Sequence, residues 1–189
     1  MPSIERIELA RTRWQPKLTG SWPASWGNLT SLRWLDLSGS TGYTALITDP
    51  LPQAWFTAPG MSNLRAFICQ DCKWVMAADA SYSAWQQLAY LDISGNRLFA
   101  LDNLGLPFTW LGNPTNVLPT EWEILSLSVL RARGCNLTAA TSTELAIWTN
   151  MTQDTGLINR LRVLDIGDNP ELSFTDMEMF FGQMRLWEL

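Results

Sequence analysis

The sequence contains no histidine, and that one absence removes Ser-His-Asp and Cys-His nucleophile systems together with imidazole-based metal sites. Lysine is almost missing too. Lys17 and Lys73 stand alone among thirteen basic residues, and neither follows a glycine, so there is no GxxxxGK phosphate loop. Charged residues make up 16% of the chain and the net charge is -5, which leaves no basic stripe for phosphates and argues against a nucleic-acid partner. No apolar run reaches the roughly eighteen residues of a membrane span. Residues 1–20 lack the charged start and apolar core of a signal peptide. The chain is therefore expected to be soluble, without membrane insertion, any export signal being removed or carried elsewhere. Acid/base pairs could be sought in Glu121 with Glu123, or Asp176 with Glu178. Nothing in the pattern supplies a cleft to raise a carboxyl pKa, so they read as solvated loop charges. Neither catalysis nor a cofactor or metal is expected.

What is present is a repeating cadence. A chain of 189 residues with 47% apolar content is the size of one domain and buries a core. Set against LxxLxLxxNxL, with any apolar residue at L and Cys, Thr or Ser allowed at N, six segments fit. They are "IERIELARTRW" from Ile4, "LRWLDLSGSTG" from Leu32, "LRAFICQDCKW" from Leu64, "LAYLDISGNRL" from Leu88, "LSVLRARGCNL" from Leu127 and "LRVLDIGDNPEL" from Leu161. A seventh, "MRLWEL" from Met184, starts correctly and stops at residue 189. Within each segment the second and third apolar positions alternate inward along a short strand, and the Asn-type position turns the chain away. Such a unit buries its apolar ladder only against its neighbours.

The chain resembles leucine-rich-repeat proteins over nearly all its length. "LTGSWP" is similar to the LxGxIP half of the plant-type subclass, with Trp22 in place of the usual Ile. A Pro-x-x-Trp unit recurs in "PASW", as Pro52–Trp55 and as Pro119–Trp122, whereas repeats three and six lack it. In this respect the chain resembles protozoan surface antigens of the family, plant receptor ectodomains and secreted inhibitors. The resemblance implies an α/β repeat fold: a right-handed solenoid with a concave parallel β-sheet, about six and a half repeats in one domain spanning 1–189.

Eleven tryptophans make this residue the compositional outlier. Trp22, Trp26, Trp55, Trp85 and Trp122 recur in register and read as filling between layers of the core. Trp34 differs, because the alternation turns it outward onto the concave face, and Tyr90 holds the same position two repeats later. The outward positions run Arg6, Glu8, Ala10; Trp34, Asp36, Ser38; Ala66, Ile68, Gln70; Tyr90, Asp92, Ser94; Val129, Arg131, Arg133; Val163, Asp165, Gly167; and Leu186, Glu188. The middle column is acidic in five of seven. One reading is a polar, net acidic groove with a central aromatic and arginine cluster, suited to a basic or mixed-charge protein segment. The other is that "LDLS" is merely the common strand of this repeat, its acids offset by Arg33 and Arg162. The residues expected to contact a ligand are Trp34, Asp36, Tyr90, Asp92, Arg131, Arg133 and Asp165.

Three glycosylation sequons, at Asn28, Asn136 and Asn150, fall outside the expected strands. With the resemblance, they imply an extracellular or cell-surface glycoprotein. Cys69 and Cys72 form "CQDC", but no second pair exists, so a redox or zinc reading has little support. The template puts Cys69 at a strand core position and Cys72 and Cys135 at the turn position, as buried structural thiols. Cys72 and Cys135 lie two repeats apart, too far for an unstrained disulfide, while a Cys69–Cys72 bond stays open. Two functions follow. The first is a recognition module binding a protein or glycan ligand on the concave face. The second is a structural subunit of a glycosylated filament, stacked head to tail through Ile4, Ile7 and Leu9 at one end and Met184, Leu186 and Leu189 at the other. A fragment of a longer array would show the same ends.

Overall fold

Six of the repeats each contribute one three-residue strand in the computed structural model, which describes residues 3–9, 21–39, 51–57, 59–72, 84–85, 87–96, 127–135 and 162–170. The strands are β1 (Arg6–Glu8), β2 (Trp34–Asp36), β3 (Ala66–Ile68), β4 (Tyr90–Asp92), β5 (Val129–Arg131) and β6 (Val163–Asp165). They form one sheet in the order β1-β2-β3-β4-β5-β6, and every pairing is parallel. The parallel sheet expected from the sequence is thus observed, with three residue columns in register. Arg6, Trp34, Ala66, Tyr90, Val129 and Val163 form the first, and Glu8, Asp36, Ile68, Asp92, Arg131 and Asp165 the third.

Between them runs the inward column: Ile7, Leu35, Phe67, Leu91, Leu130 and Leu164. All but the half-buried Ile7 have essentially no exposed surface. Leu32, Leu64, Leu88 and Leu127 before the strands, and Leu37, Cys69, Ile93 and Ala132 after them, extend the same core. The strands are short because the inward alternation holds for only two positions, such as Leu35 and Leu37, before the positive-φ turn residue.

The turn is built alike in each described repeat. Gly39, Asp71, Gly95, Gly134 and Asp168 occupy one template position, and all five have positive φ. Four of them donate their N–H to the next turn: Gly39 to Gln70 O, Asp71 to Ser94 O, Gly95 to Arg133 O and Gly134 to Gly167 O, at 2.8 to 2.9 Å. One residue further on, the Asn-type position reaches back under the preceding strand. Asn96 donates its side-chain amide to Cys69 O at 2.6 Å, and Asn169 to Ala132 O at 3.0 Å. Cys135 donates its thiol to Ile93 O at 3.1 Å. These are equivalent carbonyls, so Asn and Cys are interchangeable here, each satisfying a buried acceptor that the sheet leaves open.

The cysteines depart in part from the expectation of buried thiols. All three are buried, but Cys69 and Cys72 are bonded to each other with Cα atoms 5.4 Å apart, and Cys135 is the free thiol. The reason is local: both side chains point inward, and the left-handed Asp71 between them folds the chain back on itself.

A second layer packs on the first repeats. Two 3-10 turns, Ala24–Asn28 and Gln53–Trp55, each follow a proline in extended backbone, which sets their start. They meet backbone to backbone at Gly27, where a Cβ would overlap the Ala54 carbonyl. Trp22, Trp55 and Trp85 are buried. Trp26 is half-buried against them and stacks on Trp55 with centroids 5.5 Å apart. The indole N–H of Trp55 donates to Pro23 O and that of Trp85 to Trp55 O, both at 3.0 Å. Tryptophan serves here because it fills the space between layers and pairs a carbonyl at once. Trp122, with the Pro119–Trp122 unit, lies outside the described residues.

Candidate ligand-binding face

On the sheet face opposite the core, four first-column residues make a continuous row. The guanidinium of Arg6 lies over the Trp34 ring, 4.4 Å from its centroid, and pairs with the exposed carboxylate of Glu8. The other side of Trp34 faces Tyr90, with centroids 6.4 Å apart and planes 23° from parallel. Between them in register stands Ala66, which is buried. The indole N–H of Trp34 is buried without an acceptor among the described residues.

Tyr90 stands on the same strand as Asp92 of the acidic column. The carboxylate of Asp92, two residues along that strand, accepts Gln70 Nε2 at 2.6 Å and the Ser94 N–H at 3.1 Å. Asp92 has no exposed surface. Burial, then the Asp92 charge, push the Tyr90 hydroxyl above its ordinary pKa, and the nearby Arg131 guanidinium opposes the shift. Arg131 lies in register between Asp92 and Asp165, yet its Nε is buried and unpartnered among the described residues.

The column aspartates also act locally. Asp36 accepts the Ser38 N–H at 2.8 Å and Asp165 accepts the Gly167 N–H at 3.2 Å, as Asp92 does for Ser94. Each carboxylate thereby closes the turn two residues on, a known habit of short acidic side chains. Where the column holds Ile68 or Arg131, the preceding repeat supplies the acceptor: Gln70 N–H donates to Ser38 Oγ at 3.4 Å and Arg133 N–H to Ser94 Oγ at 3.3 Å.

The expected contact residues are therefore placed unequally. Trp34, Tyr90, Asp92 and Arg131 form one connected cluster on β2, β4 and β5. Asp36 is half-buried beside Trp34, with one oxygen committed to its turn. Arg133 extends away from the cluster and pairs with Asp168 at 2.8 Å, both exposed. Asp165 sits at the far strand. Three residues outside the expected set belong to the cluster: Arg6, which covers one face of Trp34, Ala66, which makes room for the rings, and Gln70, which closes over Asp92. The sequence did carry a clue to Ala66, since it is the small residue between two aromatics in one column.

Asn28 is exposed at the end of its 3-10 turn, outside the sheet. At the first strand Ile4 is half exposed, and Ile7 and Leu9 are half-buried against the core. Asn136, Asn150, Met184, Leu186 and Leu189 lie outside the described residues, as do Ala10, Glu188 and the carboxylate pairs Glu121 with Glu123 and Asp176 with Glu178. In comparisons with known proteins, no family model matches the chain and no curated protein matches it.

Proposed function

We propose that the chain is an extracellular or cell-surface leucine-rich-repeat recognition module, a right-handed solenoid that holds a protein or glycan ligand on the concave side of its sheet without catalysis. The observation that carries this reading is the Arg6–Trp34–Ala66–Tyr90 row on the open face. Large aromatic side chains set on strands offer contact area with little entropy left to lose on binding. The buried, unpaired N–H groups of Trp34 and Arg131 add to it, because an unmet donor is costly and a ligand acceptor would remove that cost. Neither nucleic acid nor a membrane belongs to this reading. Among the described residues no helix is long and apolar enough to cross a membrane. The test is Trp34→Ala combined with Arg131→Ala, read on peptide and glycan arrays. Capture is expected to be lost with folding retained, and unchanged capture overturns the reading.

A second reading, the subunit of a glycosylated surface filament, is favoured by one observation. β1 is the edge strand of the described sheet, and Ile4 beside it is half exposed, as an end-to-end contact would use. Light scattering and electron microscopy across a dilution series separate the two. Monomers at every concentration support recognition, whereas unbranched fibres shortened by removing residues 184–189 support assembly.

A further inference from the structure

We propose that the gap between Trp34 and Tyr90 is a slot for the planar guanidinium of an arginine side chain on an extended basic peptide. The inference rests on the recognition reading above and names its ligand. β2 and β4 are two strands apart, about 9.6 Å at the usual parallel spacing, yet the two ring centroids are only 6.4 Å apart. The rings therefore approach each other across Ala66, the small residue between them in register, which is buried at 4% exposure. A planar group in contact with a ring on each side needs about 7 Å. The observed 6.4 Å is about half an ångström short of that, so entry of the guanidinium requires the two rings to part slightly and uncover Ala66.

The chain already displays the chemistry on the other side of the indole. Arg6 stacks its guanidinium on Trp34 and pairs it with the Glu8 carboxylate in the third column. Asp36 stands in that same column, two residues along the strand from Trp34. Asp36 commits Oδ1 to the Ser38 N–H and has no partner for Oδ2 among the described residues. An incoming guanidinium would thus meet indole, phenol ring and carboxylate together, a combination that favours arginine over the compact ammonium of lysine. The Trp34 N–H, which lacks an acceptor among the described residues, would gain one from a peptide carbonyl next to the inserted arginine. In the third column Glu8 is already paired with Arg6 and Asp92 is fully buried, which leaves the half-buried Asp36 as the acid beside Trp34 for a basic segment, and the chain as a whole carries -5.

The test is titration of the full chain with capped Gly-Arg-Gly, Gly-Lys-Gly and Gly-citrulline-Gly peptides. The arginine peptide is expected to bind, with lysine and the neutral, planar citrulline each at least about tenfold weaker. Ala66→Leu, which fills the slot and keeps both rings, is expected to weaken the arginine peptide at least about tenfold. Asp36→Asn, which preserves the turn acceptor and removes the charge, gives an independent loss should Ala66→Leu fail to fold. Equal binding of the three peptides, no arginine binding, or arginine binding indifferent to these variants overturns the slot. Array capture that disappears in Trp34→Ala with Arg131→Ala would then leave the recognition reading standing without the slot. Absence of any face-dependent capture would remove both.

Discussion

The hydroxyl of Ser94 accepts the backbone N–H of Arg133 across the boundary between two repeats, at 3.3 Å. It does so where β5 carries Arg131, which has no oxygen to serve its own turn, whereas Asp92 serves the Ser94 N–H itself. Aspartate within a repeat and serine from the preceding one are thus exchangeable acceptors. Ser94→Ala is expected to cost about 0.5–1 kcal/mol. In an Arg131→Asn background, where the introduced amide oxygen supplies the turn with its own acceptor, the same change should cost close to nothing. Urea denaturation of the four proteins measures the difference, and equal costs in both backgrounds would refute the exchange.

The Asn-type position predicts a ranking. Asn96→Ala takes from the buried Cys69 carbonyl the amide that reaches it at 2.6 Å, while Ile93 O keeps the Cys135 thiol, at a cost of about 1–3 kcal/mol. Asn96→Cys restores one donor of the kind Cys135 provides to Ile93 O, so it should lie between wild type and Asn96→Ala. Thermal midpoints of the three proteins check the order.

Gly27 sets the approach of the two 3-10 turns. A methyl there meets the Ala54 carbonyl, a backbone atom that has little freedom to yield. Gly27→Ala is expected to cost about 1–3 kcal/mol, the range of an overpacked interior. Ala24→Gly, at an exposed position of the same turn, should cost less. Denaturant midpoints compare them.

How much of this was legible in the sequence follows from the period of each feature. The strand register could be read because a misplaced strand would put Leu35, Leu91 or Leu130 on the open face and lose its burial. The inward tryptophans were readable because Trp55 and Trp85 keep station with the repeats. The burial of Asp92 was not, since it depends on Gln70 of the preceding repeat reaching across to its carboxylate. Nor were the serine acceptors, because Ser38 and Ser94 act on the next repeat's turn rather than their own. The Cys69–Cys72 bond turns on the left-handed backbone of Asp71, a residue type that only sometimes adopts it.

Stability should depend on alkaline pH through Cys135. Burial raises this thiol from 9.0 to about 11, so the folded chain holds the proton more tightly than the unfolded one. Its contribution is complete below pH about 9 and declines as pH rises through about 11, by on the order of 2–3 kcal/mol. Tyr90, also raised above its ordinary 10.0, adds a loss in the same direction above that value. Cys135→Asn, which puts the residue of the β4 and β6 turns in its place, should flatten the profile between pH 9 and 11. An unchanged profile in that variant would contradict the assignment.

Whether function lies on the sheet face or at the strand edge is decided by comparing two single variants on the same peptide and glycan arrays. Tyr90→Ala removes one wall of the aromatic row, and Ile4→Glu places a charge beside β1. Loss of capture in Tyr90→Ala with capture intact in Ile4→Glu, both proteins folded by circular dichroism, is the expected result. Capture retained in Tyr90→Ala and lost in Ile4→Glu would contradict the account and move the working surface to the edge of the sheet.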